Sequence, residues 1–80
     1  MAEYIMKRRK SKNISGPRIA LIRRRKHLTQ TDLAKLVRKA GINLDRAAIA
    51  KIENGLRCVY DYELVTIAQV LKVSTSKLVV

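Results

Sequence analysis

The sequence has few cysteines, no long apolar run and no signal peptide, which argues against a disulfide-rich, membrane-spanning or secreted protein. Among its 80 residues there is one cysteine, Cys58, so no internal disulfide can form and a reducing compartment is expected. No apolar run approaches the ~20 residues of a membrane span. The N-terminus also lacks the apolar stretch and small-residue cleavage site of a signal peptide. These absences predict one small domain in the cytoplasm, in a chain that is complete or was trimmed from a longer one.

Residues that support catalysis or metal binding are equally scarce. His27 and Cys58 are single copies of their kinds, which is too few for the four ligands of structural zinc. A nucleophile–base dyad would need the fold to bring these two together, and nothing in the sequence indicates this. Three tyrosines give no stacking platform of the type that single-strand binders use. We therefore expect no enzyme, no metal, no cofactor and no small-molecule ligand.

Acidic residues are few, and positive charge dominates. Eighteen Lys and Arg against six Asp and Glu give a net charge of +12. Residues 1–26 hold ten basic and one acidic side chain (+9), whereas residues 27–80 hold eight and five (+3). Nucleic acid is the usual partner of so cationic a chain, although a basic tail can also aid solubility or touch acidic lipid.

Periodicity and capping residues predict an all-α chain of five short helices without strand pairs. The predicted start and end signals are, in chain order, Ser15-Gly16-Pro17 and Lys26; Thr29 and Gly41; Asp45 and Gly55; Asp61 and Leu71; and finally Ser74, before Leu78. The predicted apolar faces contain Ile19, Leu21 and Ile22; Leu33, Ala34, Leu36 and Val37; Ile49 and Ile52; and Leu64, Ile67, Ala68 and Leu71.

The third predicted helix carries the pattern that bears most directly on function. Ile49 and Ile52 are three apart and share the inward face. The remaining positions near its start are small or basic: Arg46, Ala47, Ala48 and Lys51. Small residues allow close approach to a DNA groove, and arginine can bond guanine through two parallel hydrogen bonds. The same pattern also suits an ordinary solvated helix, because alanine is a good helix former.

Three motifs resemble the Cro and phage-repressor family of helix-turn-helix domains, often called XRE-type. They are Thr29-Gln30-(x3)-Ala34, Ile49-(x2)-Ile52-Glu53-Asn54-Gly55 and Ile67-Ala68-(x2)-Leu71-x-Val73-Ser74, and the similarity runs from Pro17 to Leu78. The resemblance implies a five-helix, lambda-repressor-like DNA-binding domain. Its second and third helices would form the DNA-reading unit, with the third, around Asp45 to Asn54, in the major groove.

The resemblance also implies roles for single residues. Base contacts fall to Arg46, Ala47 and Lys51, and phosphate contacts fall to Gln30, Asn54 and Arg57. Arg23 and Glu53 match a family ion pair between the first helix and the end of the third, whose role is mainly structural. The sequence departs from the compact family pattern by about five extra residues between Ala34 and Ile49, counted against the short turn typical of the motif. We expect a longer second helix and a wider connection, both accommodated before Asp45.

The basic N-terminus is interpreted as a flexible arm over residues 1–16, followed by the DNA-binding domain over residues 17–80. Its cluster of Lys7, Arg8, Arg9 and Lys10 is expected to contact phosphates without sequence preference, although it can also be a tail with no fixed site.

The resulting hypothesis is a sequence-specific regulator of double-stranded DNA, a repressor of bacterial phage or mobile-element type. Family members usually act as homodimers on two-fold sites. Candidate dimer residues are Tyr60, Tyr62, Val65, Val79 and Val80. The alternative is a protein-interaction module, or an antitoxin-like partner, with weak non-specific DNA binding.

Overall fold

A computed structural model describes residues 12–79 of the chain. This part contains four α-helices and no strand: α1 (Gly16–Arg25), α2 (Gln30–Lys39), α3 (Arg46–Glu53) and α4 (Asp61–Leu71). The predicted all-helical architecture is therefore confirmed. In place of the fifth predicted helix, the structure has a three-residue 3₁₀ helix, Thr75–Lys77.

Side-chain caps define the starts of α2 and α3. The Thr29 hydroxyl accepts a hydrogen bond from the Asp32 amide (3.0 Å), and the Asp32 carboxylate accepts one from the Thr29 amide (2.9 Å). The Asp45 carboxylate accepts a hydrogen bond from the Ala48 amide (2.8 Å). Both caps satisfy amides that have no partner within the helix, so the predicted starts at Thr29 and Asp45 are confirmed.

The predicted start of α1 at Ser15 is confirmed without the side-chain bond of a cap, and the predicted cap of α4 at Asp61 is wrong. Ser15 precedes α1 but makes no side-chain capping bond, and the Asn13 carboxamide oxygen accepts from the Gly16 amide instead (2.6 Å). Asp61 is the first residue of α4 rather than its cap. The amide of the preceding Tyr60 donates to the Glu63 carboxylate (3.0 Å), so a side chain inside the helix reaches back over its start.

All four helices contribute to one apolar core. Its buried members are Ile19, Leu33, Ala34, Val37, Leu44, Ile49, Ile52, Ile67, Ala68, Leu71 and Leu78. Burial of each Leu, Ile or Val contributes about 1.5–3 kcal/mol, which makes this cluster the main source of stability. Two predicted core residues are exposed, Leu21 at 37% and Leu36 at 36%. Leu21 lies two residues from the buried Ile19 and so on the other side of α1, and Leu36 lies at the edge of the apolar face of α2.

The connection between α2 and α3 runs from Ala40 to Asp45. The helix α2 ends at Lys39, and Gly41 follows with a φ of +101°, a conformation that favours glycine over other residues. Leu44 then enters the core before Asp45 starts α3. The connection is thus anchored at its far end, and α3 has a defined start, while the extra length relative to the family pattern stays a prediction.

The start of α1 packs tightly against the end of α3. The Asn13 carboxamide nitrogen donates to the carbonyls of Ile52 (3.0 Å) and Arg57 (2.8 Å), and the Lys12 amide donates to the Gly55 carbonyl (2.8 Å). A Cβ atom on Gly16 would collide with the Ile52 carbonyl oxygen. This close approach requires a glycine at that position.

No helix within residues 12–79 combines the length and the apolar character that crossing a membrane demands.

Candidate nucleic-acid interface

The outer face of α3 presents the three residues to which base contacts were assigned. Arg46, Ala47 and Lys51 are all exposed, while Ile49 and Ile52 on the opposite face are fully buried. The Asp45 cap fixes the first turn, where Arg46 and Ala47 lie. The helix therefore presents a small residue between two long cations, an arrangement that allows its backbone to approach a surface closely.

A shallow concavity of about 400 Å³ lies on the same side of the molecule. Its lining residues are Asp45, Ala47, Ala48, Lys51, Leu56 and Arg57. It joins two predicted base contacts, Ala47 and Lys51, to one predicted phosphate contact, Arg57. Arg46 lies outside it, at the exposed start of α3.

One carboxylate links three helices behind this face. Glu53 Oε2 accepts from Arg23 Nε (2.7 Å), and Glu53 Oε1 accepts from Arg23 Nη2 (3.0 Å). Glu53 Oε1 also accepts from Gln30 Nε2 (3.0 Å), while Arg23 Nη1 donates to the Leu28 carbonyl (2.7 Å). The hydrogen bonds that Arg23 donates to Glu53 raise the pKa of Arg23 above its ordinary value, against the effect of burial.

Gln30 is thereby held at the junction of α2 and α3. Gln30 is half-buried, and its carboxamide is hydrogen-bonded to Glu53. Gln30 is also the first residue of α2. At that end of a helix, the unpaired amides and the helix dipole favour an anion. Asn54, which follows Glu53, is the exposed C-cap residue of α3. The structure thus brings two of the predicted phosphate contacts to the same junction.

Arg57, the third predicted phosphate contact, is engaged within the protein. Its guanidinium donates to both carboxylate oxygens of Glu63 (2.8 and 2.9 Å) and to the Cys58 carbonyl (2.8 Å). It also lies 6.0 Å from the centre of the Tyr60 ring. These hydrogen bonds lower the pKa of Glu63 and raise that of Arg57. The pair fixes the loop after α3 onto α4, and phosphate binding by Arg57 stays a prediction.

Sequence reasoning missed three features of this region. Leu56 is the most exposed large apolar residue of the described part (65%), and it lies in the concavity. Asn13 connects the arm to α3. Tyr60 and Tyr62, interpreted only as packing or interface residues, form a parallel stacked pair with ring centres 5.8 Å apart. The one available signal for Leu56 was a large apolar residue next to the helix-ending Gly55.

The predicted arm contacts lie outside the described residues. Lys7, Arg8, Arg9 and Lys10 precede Lys12, where the description begins. The arm boundary at residue 16 stays a prediction, although Asn13 and Gly16 both contact the domain.

Comparison with known proteins gives one match. Residues 19–78 match the model of a family described as helix-turn-helix. Searches of the curated proteins and of the solved structures found no match.

Proposed function

The chain belongs to the helix-turn-helix family of the Cro and repressor type, and on that premise we propose that it is a sequence-specific transcriptional regulator that places α3 in the major groove of DNA. The family is one of DNA-binding regulatory domains rather than of enzymes. The finer assignments, to a repressor and to a phage or mobile element, follow the resemblance of the three sequence motifs.

The observation that carries the proposal is the outer face of α3. Arg46 and Lys51 flank Ala47 on an exposed surface whose opposite side is anchored by two fully buried isoleucines. Arginine at the start of such a helix can bond guanine O6 and N7, and an alanine methyl can contact thymine. In this proposal Gln30 and Asn54 contact the backbone phosphates that flank the groove, and so fix the register of α3.

A two-fold DNA site would need two copies of the chain. The segment from Cys58 to Leu71 suits a contact between copies because it holds Asp61 and Glu63 but no Lys or Arg. Its exposed apolar side chains include Tyr60, Tyr62 and Val65. Arg57 is the cation placed against this segment, and its charge is paired with Glu63. Two chains of net charge +12 repel each other less at a surface with few unpaired cations.

The test is selection of bound duplexes from a random library at near-physiological salt, performed with the wild-type protein, Arg46→Ala and Arg38→Ala. Arg38 is an exposed arginine on α2, so its removal changes the net charge equally without touching α3. We expect one enriched, two-fold-symmetric motif for the wild type. Arg46→Ala should lose discrimination at one base pair by about 1–3 kcal/mol, whereas Arg38→Ala should retain the whole motif.

The other outcomes separate the competing functions. An enriched motif without two-fold symmetry would contradict the dimer and leave specific recognition in place. Equal, weak binding to every duplex would contradict specific recognition and favour the protein-interaction or antitoxin-like alternative. An unchanged motif with Arg46→Ala would remove Arg46 from the base contacts.

A further inference from the structure

We propose that Leu56 is a specificity-determining residue that contacts the 5-methyl group of a thymine. The inference rests on the proposed placement of α3 in the major groove. The thymine methyl is the apolar group that base edges present in that groove, so an apolar side chain directed there distinguishes thymine from other bases.

The position of Leu56 carries the argument. It shares the concavity of about 400 Å³ with Ala47 and Lys51, which face outward from α3. At 65% exposure its side chain contributes little to the core. An isolated exposed leucine is ordinary, but this one lies beside the outer face of α3.

The backbone holds Leu56 in a fixed place relative to α3. Its amide donates to the Lys51 carbonyl (2.8 Å), which returns the chain against the last turn of the helix. Gly55, with a φ of +73°, permits this reversal. On the other side, Arg57 is tied to Glu63 by two hydrogen bonds, so both neighbours of Leu56 are constrained.

The chemistry of the surrounding groups favours a base edge over a phosphate as the partner of Leu56. Lys51 and Arg57 are the cations that border the concavity, and Arg57 is the predicted phosphate contact, whereas the Leu56 side chain can form neither a hydrogen bond nor an ion pair. Burying one methyl group contributes about 0.8 kcal/mol, which is close to a fourfold change in affinity.

The experiment uses the duplex selected by the wild-type protein. Each thymine is replaced singly by deoxyuridine, which lacks only the methyl group, and affinity is measured for the wild type, Leu56→Ala, Leu56→Met and Leu36→Ala. Leu36 is the matched control, because it is an exposed leucine on α2 outside the concavity. Melting curves establish that all four proteins are folded.

We expect one deoxyuridine position in each half-site at which wild-type binding weakens about fourfold and the weakening depends on Leu56. The loss should persist with Leu56→Met and Leu36→Ala and disappear with Leu56→Ala. An equal loss with Leu56→Ala would assign the methyl to another residue, such as Ala47, and overturn the inference. So would the absence of any sensitive thymine, or a uniform weakening of all duplexes by Leu56→Ala, which would indicate contact with the sugars. If the wild type selects no motif at all, the proposed function itself has failed and the inference falls with it.

Discussion

At the scale of single residues, the Glu53 carboxylate accepts hydrogen bonds from side chains of both α1 and α2 at the end of α3. Its side chain is 4% exposed, so its charge depends on Arg23 rather than on water. Glu53→Ala should lower the free energy of unfolding by about 3 kcal/mol, because the Arg23 charge would remain buried without its partner. Urea denaturation measures the loss, and duplex selection should still return the wild-type motif.

The double variant Arg23→Met/Glu53→Leu is the control for this prediction. Removing both charges leaves neither of them buried alone, so the double variant should be less destabilised than the sum of the two single variants. A lost motif in a folded Glu53→Ala protein would contradict a purely structural role. It would mean that Glu53 supports DNA recognition by positioning the Gln30 side chain.

Glu63 gives the molecule a predictable response to acid. Hydrogen bonds from Arg57 are the main cause of its lowered pKa, and the Tyr60 amide adds to them. Because the folded-state pKa lies below the ordinary value of 4.5, the pair's full contribution is present above that pH and is lost as the pH falls through the folded-state value. Glu63→Gln should therefore be less stable than the wild type at pH 7 by about 1–2 kcal/mol, and the gap should narrow in acid.

Urea denaturation at a series of pH values measures this gap. In an Arg57→Met background, Glu63→Gln should have a smaller effect, and one that depends less on pH, since the partner is gone. A gap between wild type and Glu63→Gln that stays constant down to about pH 3 would mean that Arg57 does not stabilise the carboxylate.

At the scale of elements, α3 depends strongly on its cap because it has only eight residues. Asp45→Ala removes the hydrogen bond to the Ala48 amide and should cost about 1 kcal/mol of stability, together with some affinity for DNA. Asp45→Asn retains an accepting oxygen and serves as the control, with a smaller loss expected. If Asp45→Ala is as stable as the wild type in urea denaturation, another group holds the start of α3.

Gly16 sets the distance between α1 and α3. A methyl group there would meet two backbone oxygens, those of Ile52 and Glu53, which cannot rotate away as a side chain would. We expect Gly16→Ala to cost about 1–3 kcal/mol in thermal or urea denaturation. Pro17→Ala, at the exposed neighbouring position, should cost less than 1 kcal/mol. Equal stability of Gly16→Ala and the wild type would show that the two helices can separate without loss.

The helix starts at Thr29 and Asp45 were predictable because a cap and its amide lie within three residues of each other. Asn13 was not predictable, because its carbonyl partners lie 39 and 44 residues away and only the packing of α1 on α3 brings them close. The exposure of Leu36 also depends on packing, since the sequence period places it at the margin of the buried face. The same holds for Leu56, whose place beside α3 follows from the turn at Gly55.

At the scale of the whole molecule, positive charge is concentrated in the N-terminal part of the sequence. The first described residue of that part, Lys12, lies beside the end of α3, where its amide donates to the Gly55 carbonyl. We propose that the cluster of Lys7, Arg8, Arg9 and Lys10 adds phosphate contacts. Deletions meant to test the arm must end before Lys12, since a longer one would also remove the hydrogen bonds of Asn13.

Deletion of residues 1–11 should therefore remove phosphate contacts, which weakens DNA binding and makes the affinity less dependent on salt concentration. Each phosphate contact contributes about 0.9 to the slope of log affinity against log salt concentration, so losing four contacts should flatten the slope by up to about 3.6. Titrations of one duplex at several salt concentrations measure it. Deletion of residues 1–6 is the matched control, because it removes Glu3 but no Lys or Arg, and it should leave the slope nearly unchanged. An equal slope for the wild type and the 1–11 deletion would mean that the four cations make no phosphate contact, and the affinity would then depend on the domain alone.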